Sequence, residues 1–223
     1  MTPPQFPDYP FTPRHFTVRP GIAMSYLDEG PRDGEVVVML HGNPSWSFHW
    51  RHLVLGLRDR YRCIVPDHVG MGRSDKPDDG GGVRPPADRA AAPYDYTLRS
   101  RVDDLGTLLD ALGIDGPVTL AVHDWGGMIG MAWALRDPSR VRRLVVLNTA
   151  MFPLPDAKPM PWQLSMGRDS RIGGWLIRRF NLFARGAAWL GTEHRMPRDV
   201  RAAYIAPYEG WDNAIATLRF MQD

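Results

Sequence analysis

The sequence predicts a doubly wound α/β fold built on a mostly parallel sheet. Short apolar runs with strand character alternate with segments that repeat apolar residues at helical spacing. The clearest run is residues 35–40, EVVVML, which is almost wholly apolar, as expected of a parallel strand covered on both faces. Polar motifs follow the strand-like runs, and ligand sites in such sheets gather at the carboxyl ends of strands.

The remaining elements follow in order along the chain. Residues 15–18 and 22–27 are separated by Pro20-Gly21, which predicts a hairpin at one edge of the sheet. Further core strands are predicted over residues 61–66, 118–122 and 141–147, and helices over residues 45–60 and 98–112.

The composition divides the chain into two parts. Residues 1–150 carry the strand and helix pattern, with a surface loop predicted at 78–93, where Gly, Pro and Ala predominate. In residues 151–223, closely spaced prolines are followed by helical segments rich in Trp, Phe and Arg, which predicts an inserted helical cap. Its segment 172–190 has enough apolar surface to roof a pocket for a lipophilic substrate.

Charge and composition exclude several classes of protein. The 223 residues include 27 basic and 25 acidic ones, a balance that does not suggest a nucleic-acid-binding surface. The single cysteine, Cys63, cannot form an internal disulfide, so we expect a cytoplasmic protein. The first residues lack the pattern of a signal peptide, and the apolar run 128–135 is shorter than the ~20 residues that span a bilayer. We therefore expect no integral membrane segment.

Residues 118–131, VTLAVHDWGGMIGM, have the pattern of a strand, a sharp turn and a helix. Such a turn lifts one side chain clear of the sheet, and that residue is often a nucleophile. Here the lifted residue is Asp124. A carboxylate that attacks a saturated carbon forms an ester, which water can later cleave, so the pattern favours displacement of a leaving anion. The alternative is a tight turn with a solvated aspartate.

Four spaced motifs lie in the predicted core: HGNPSWSFHWR (41–51), PDHVGMGRSDKP (66–77), YDYTL (94–98) and HDWGG (123–127). Together they resemble the motifs of haloalkane dehalogenases of the α/β-hydrolase superfamily. The resemblance implies an α/β-hydrolase fold in which Asp124 is the nucleophile and Asn43 and Trp125 donate N–H groups to the departing halide. It also implies that His41 and Gly42 belong to the oxyanion-loop motif.

Physical chemistry agrees with these implied roles. A carboxamide and an indole N–H on adjacent strand ends are neutral donors that can hold an anion as it forms. The backbone N–H of Trp125, at the start of the predicted helix, would face the same point.

Three further segments lie in or next to the predicted cap: LNTAMFPLPDAKPMPW (147–162), RRFNLFARGAAWLG (178–191) and APYEGWDNAIATLRFMQD (206–223). They resemble a sister group, the β-lactone decarboxylases of bacterial olefinic hydrocarbon biosynthesis. The resemblance implies conversion of cis-3-alkyl-4-alkyloxetan-2-ones into long-chain alkenes and carbon dioxide, alongside other enzymes of a hydrocarbon pathway. Attack by Asp124 on the ring would release a carboxylate where a dehalogenase releases a halide. The core motifs therefore fit both reactions, and the cap favours the decarboxylase.

The same resemblance places the catalytic acid and histidine of the family in strands that follow the cap. We therefore expect this chain to lack both, together with the C-terminal part of the core, and to be a fragment. We assign the base to none of the seven histidines. A hydrolytic cycle would then stop at the ester of Asp124, because ester hydrolysis needs a general base. His49 and His52 share a helix face without a third ligand, so we expect no metal and no cofactor.

Two other classes of protein stay open. Epoxide hydrolases also use an aspartate on such a turn, with cap tyrosines that polarise the epoxide, and Tyr204 and Tyr208 are candidates for that role. Asn43 argues against this alternative. The chain could also be a non-catalytic component of an assembly, because the base is missing.

Overall fold

The computed structural model describes residues 6–79, 93–150 and 162–223. The described strands are β1 (Arg14–Arg19), β2 (Ile22–Glu29), β3 (Glu35–Leu40), β4 (Tyr61–Pro66), β5 (Val118–His123) and β6 (Val141–Leu147). The described α-helices are α1 (Arg51–Leu57), α2 (Leu98–Ala111), α3 (Trp125–Arg136), α4 (Trp162–Asp169), α5 (Arg171–Phe180), α6 (Leu182–Leu190), α7 (Arg198–Ile205) and α8 (Ile215–Gln222).

The strands form one sheet in the order β1-β2-β4-β3-β5-β6. β1 and β2 form the predicted antiparallel hairpin at one edge, and β4, β3, β5 and β6 are parallel. The register pairs Leu40 with Val122, so the residues that follow β3 and β5 leave the sheet side by side. The prediction of a doubly wound, mostly parallel sheet is confirmed, and this order brings the segment after residue 40 next to Asp124.

Both faces of the central strands are covered. On one face Leu40 and Val122 pack with residues of α2 and α3 in a large apolar cluster. On the other face Met39 and Ala121 pack with Phe48 and other aromatic residues. Successive residues of β3 and β5 point to opposite faces of the sheet, as the two-residue repeat of a strand requires. Packing on both faces then holds the strand ends in place.

The structure changes one predicted helix and defines the helices of a second predicted segment. The predicted helix over 45–60 is a short 3-10 turn at residues 47–50 followed by α1. The predicted segment 172–190 is two helices, because Asn181 takes a left-handed conformation with φ of 52°. The Asn181 side-chain N–H group donates to the carbonyl of Ile205, which links this break to the end of α7.

Strand β6 was predicted to be a core strand, and in the described residues this is wrong. It pairs with β5 alone, and its residues 144–147 are 38% to 46% exposed. The apolar run identified a strand correctly, but periodicity does not say what covers it. Most of the predicted loop 78–93 lies outside the described residues.

Helix α7 and the turn after it are tied to the loop that follows β3. The indole of Trp46 donates to the carbonyl of Ala203 at 3.1 Å, and the Tyr208 hydroxyl donates to the carbonyl of Ser45 at 2.8 Å. The predicted boundary between residues 150 and 151 borders a segment outside the described residues, so the division into core and cap stays a prediction. Within the described ranges, no helix is both long and apolar enough to cross a membrane.

Asp67, at the end of β4, should be essential for the stability of the loops around the site. Its carboxylate accepts hydrogen bonds from the backbone N–H groups of Ser47 at 2.6 Å and Arg73 at 2.9 Å, and it is fully buried. Each bond to a charged group contributes about 1.5–3 kcal/mol, so we expect Asp67→Ala to lower the free energy of unfolding by about 3 kcal/mol or more.

Urea unfolding followed by circular dichroism measures this change. Asp75→Ala is the matched control, because the Asp75 carboxylate accepts the N–H of Ala23 at an exposed position. A loss for Asp67→Ala no larger than for Asp75→Ala would contradict the expectation.

Candidate active site

Asp124 occupies the turn between β5 and α3 with φ of 52° and ψ of −129°. This conformation is rare for a residue with a side chain, and it lifts the carboxylate above the end of the sheet. The second and third residues after Asp124 must be small. A Cβ atom on Gly126 would lie 2.2 Å from the carbonyl oxygen of Leu40, and one on Gly127 would lie 2.1 Å from Oγ1 of Thr149.

The Asp124 carboxylate is held on one oxygen and free on the other. The backbone N–H of Asn43 donates to Oδ1 at 2.8 Å, whereas Oδ2 accepts no hydrogen bond from the described residues. Gly42 permits this approach, since a Cβ atom there would lie 2.1 Å from Oδ1. The Thr149 hydroxyl donates to the backbone carbonyl of Asp124 and fixes the turn from β6. Among the described residues, Oδ2 is therefore the carboxylate oxygen without a hydrogen bond.

The two predicted anion donors lie beside this carboxylate in different ways. The backbone of Asn43 contacts Asp124 directly, while its side-chain Nδ2 donates to the carbonyl of Thr217 in α8 at 2.9 Å. Trp125 follows Asp124, and its ring packs against Phe220 at a centroid distance of 5.3 Å. Among the described residues, the indole N–H of Trp125 has no hydrogen-bond partner.

His41 links the loop after β3 to the loop after β4. Its Nδ1 bonds to the carbonyl of Gly42 at 2.9 Å, and its Nε2 accepts the N–H of His68 at 3.0 Å. Because a carbonyl can only accept, Nδ1 carries the proton. Complete burial lowers the pKa of both His41 and His68. Both nitrogens of His41 are thus engaged with the backbone, which suits a residue that holds the loop in place.

His49 and His123 form a second imidazole pair, with ring centroids 4.5 Å apart. Burial, and then the neighbouring His123, lower the pKa of His49 to about 3. The sequence predicts that His49 and His52 share a helix face, but the structure separates them, since His52 lies at the surface beside Asp8. In the described parts of the chain, no cluster of three or more His, Cys, Asp or Glu side chains could hold a metal ion.

The two tyrosines considered for an epoxide hydrolase have structural partners. The Tyr208 hydroxyl is fully buried and donates to the carbonyl of Ser45. The Tyr204 hydroxyl lies 3.3 Å from Nδ1 of His49. These contacts favour packing roles for both residues.

Three residues that the sequence analysis did not assign to the site contact its members. Thr149 could have been found, because it follows a predicted strand and so lies at the same edge of the sheet as Asp124. Thr217 and Phe220 could not, because their contacts depend on how α8 packs against the core.

Comparison with known proteins agrees with this architecture. The family model described as alpha/beta hydrolase fold matches residues 35–203. The chain belongs to the α/β hydrolase fold family.

Two relatives are cis-3-alkyl-4-alkyloxetan-2-one decarboxylases. The protein of Xanthomonas campestris is 66% identical over 98% of this chain and 70% of its own length. That of Shewanella oneidensis is 51% identical over 94% of this chain, which spans 62% of that protein. Haloalkane dehalogenase 2 of Mycobacterium bovis is more distant, at 36% identity over 89% of this chain and 62% of its own length. The resemblance to both groups is confirmed, and the decarboxylases are nearer in sequence.

Solved structures give the same fold. The crystal structure of an ancestral haloalkane dehalogenase superposes with a TM-score of 0.79 and 29% identity, over 93% of this chain and 68% of that one.

Gly127→Ala should distort the turn that carries Asp124. The added methyl group would meet the Thr149 side chain at 2.1 Å, so either Thr149 or the turn must move. We expect a loss of about 1–3 kcal/mol in the free energy of unfolding, the usual scale for overpacking. Gly56→Ala is the control, because nothing lies within 4 Å of its added Cβ atom. That control should gain about 0.5–1 kcal/mol from helix propensity. Equal effects in urea unfolding would contradict this account of the turn.

Acid should destabilise the fold before its carboxylates titrate. The folded state holds His49 neutral with a pKa of about 3, whereas the unfolded chain takes up its proton near pH 6.5. Stability is therefore complete above about pH 6.5 and falls as the pH is lowered below it. We expect the free energy of unfolding to fall between pH 7.5 and 5, and to fall less steeply in His49→Gln.

Urea unfolding at a series of pH values measures this slope. His52→Gln is the control, because His52 is largely exposed, and it should keep the wild-type slope. An unchanged slope in His49→Gln would show that its titration does not contribute.

Proposed function

We propose that this protein decarboxylates cis-3-alkyl-4-alkyloxetan-2-ones to alkenes and carbon dioxide, with Asp124 as the nucleophile. The observation that carries the proposal is the carboxylate at the turn after β5, with Oδ2 free and Oδ1 held by the Asn43 backbone at 2.8 Å. The 66% identity to a decarboxylase of this name extends over nearly the whole chain, including the C-terminal helices.

The first step is displacement at C4 of the lactone ring. Oδ2 of Asp124 forms a bond to C4 as the bond from C4 to the ring oxygen breaks, and the ring oxygen keeps that electron pair as part of a carboxylate on C3. The carboxylate is a leaving anion covalently tied to the substrate. Neutral donors that are already in place stabilise such a charge without reorganising.

The second step releases both products. The bond from C3 to the carboxylate breaks, its electrons form the C3–C4 double bond, and the bond from C4 to Asp124 breaks with its pair returning to Asp124. Atoms and charge balance without water, and the nucleophile is regenerated. This route needs no general base, in contrast to a dehalogenase cycle, in which water must cleave the ester.

The anion pocket is proposed to consist of the Asn43 amide and the indole and backbone N–H groups of Trp125, with His41 and Gly42 holding the loop. Asn43 Nδ2 carries a second N–H besides the one bonded to Thr217, and the indole N–H has no partner among the described residues. Both donors are thus available to an anion. Inversion at C4 followed by anti elimination would convert a cis lactone into a cis alkene.

The C-terminal helices are proposed to act as a cap, with residues 151–223 over a core of 1–150. Several hydrogen bonds tie these helices to the loop after β3, and their apolar side chains suit a lipophilic substrate. We place the protein in the cytoplasm, where other enzymes of a hydrocarbon pathway would supply the lactone.

Hydrolysis of haloalkanes is the second candidate, because a dehalogenase is 36% identical and the same pocket would hold a halide. In that reaction water attacks the Asp124 carbonyl, so oxygen from water enters the carboxylate. In the proposed decarboxylation it does not.

Turnover in water labelled with oxygen-18 separates the two reactions. We expect a cis-dialkyl lactone to yield the cis alkene while the Asp124 peptide stays unlabelled by mass spectrometry. A 1-haloalkane offered in parallel serves as the comparison. Halide release with labelled Asp124, and no alkene from the lactone, would favour the dehalogenase.

Substitutions at the site test the assigned roles. Asp124→Ala should abolish alkene formation, and Asn43→Ala and Trp125→Phe should each lower the rate on the order of 10², the usual effect of one oxyanion donor. Asp110→Ala is the control, because it removes only an exposed ion pair with Arg140. Alkene production by Asp124→Ala at the wild-type rate would remove the nucleophile assignment.

A further inference from the structure

Helix α8 contacts both members of the proposed anion pocket. The carbonyl of Thr217 accepts the Asn43 side chain at 2.9 Å, and the Phe220 ring lies 5.3 Å from the ring of Trp125. Phe220 and Thr217 are fully buried. The placement of α8 therefore determines the orientation of both donors.

Arg101 stacks against the ring of Phe220. It belongs to α2, it is 1% exposed, and its Cζ atom lies 3.6 Å from the centroid of the Phe220 ring. This distance is typical of a guanidinium stacked on an aromatic face. Its Nη1 donates to Asp223 at 3.1 Å, which ties the end of α8 to the core.

The remaining contacts of Arg101 are poor for a buried cation. Nε and Nη2 have no hydrogen-bond partner within the described residues, although both atoms are buried. Burial also lowers the pKa of this guanidinium. Desolvating a charge is costly, and an apolar side chain in the same space would avoid that cost. Stability alone does not explain an arginine at this position.

We propose that Arg101 is a positioning residue that stacks against Phe220 and, through it, holds the Trp125 indole in the orientation that receives the leaving anion. The inference rests on the proposed function, because it assumes that Trp125 donates to an anion. The order of contact is Arg101, Phe220, Trp125, in which the buried Phe220 ring lies between the buried guanidinium and the partly buried indole. Arg101 itself touches neither Asp124 nor the anion.

Anion binding tests this role without requiring turnover. Sodium octanoate, a carboxylate with an apolar chain, is titrated into the protein at constant ionic strength, and its Kd is obtained from the change in Trp fluorescence. The same titration of Trp125→Phe gives the contribution of the other Trp residues, which is subtracted. We expect Arg101→Met and Phe220→Leu each to raise the Kd about tenfold, as misplacement of one donor would. Because Arg101 acts through Phe220, the Kd of the double variant should not exceed the higher of the two single-variant Kd values.

Arg219→Met is the matched control on α8. Arg219 pairs with Asp79 and contacts neither donor, so this variant should keep the wild-type Kd. Near-ultraviolet circular dichroism checks folding, and Arg101→Lys replaces the Met variant if that variant is unfolded. Lysine keeps the charge but lacks the planar face, so its Kd should also rise.

Three results would overturn the inference. They are a wild-type Kd in folded Arg101 variants, additive effects in the double variant, and no octanoate binding by the wild type. Failure of the proposed function is a different result, in which octanoate binding responds as expected but no lactone is consumed.

Discussion

A single residue in the left-handed region of backbone space, Asp124 with φ of 52°, determines the geometry of the site. This conformation turns the chain from β5 into α3 and raises the carboxylate above the sheet. The neighbouring residues fit this conformation. Gly42, Gly126 and Gly127 each lie where a Cβ atom would collide with a neighbouring residue, and Asn43 donates its N–H to Oδ1 of Asp124. The parallel pairing of β3 with β5 supplies the remaining constraint, because it delivers Asn43 to the same point as Asp124.

The fold could be predicted because its signals are local. The apolar run of 35–40, the Pro20-Gly21 turn and the small residues after Asp124 each indicate their own conformation, and parallel order then places the strand ends together. Contacts such as that of Thr217 with Asn43 could not be predicted from the sequence, since they arise from the packing of α8 against the loop after β3. The exposure of β6 could not be predicted either, because an apolar pattern indicates that a strand can be buried but does not show which element covers it.

The candidate site explains why one set of core motifs suits two reactions. In either proposed reaction Asp124 attacks a saturated carbon, and a halide or a tethered carboxylate departs into the same proposed neutral donors. The difference lies after the first bond is made. A haloalkane leaves an ester that only water can remove, whereas a β-lactone leaves an ester whose own carboxylate carries the electrons for its release. The identities of 66% and 36% favour the second course.

The central claim is a covalent bond between Asp124 and C4 of the lactone, and rapid chemical quenching tests it most directly. Enzyme and cis-dialkyl lactone are mixed and quenched in acid at millisecond intervals. The protein is then digested, and the mass of the peptide containing Asp124 is measured by mass spectrometry. The account predicts a transient increase equal to the mass of the intact lactone, located on Asp124 and gone once the alkene has formed. An adduct on another residue, or alkene formed at the same times with no adduct on Asp124, would contradict it.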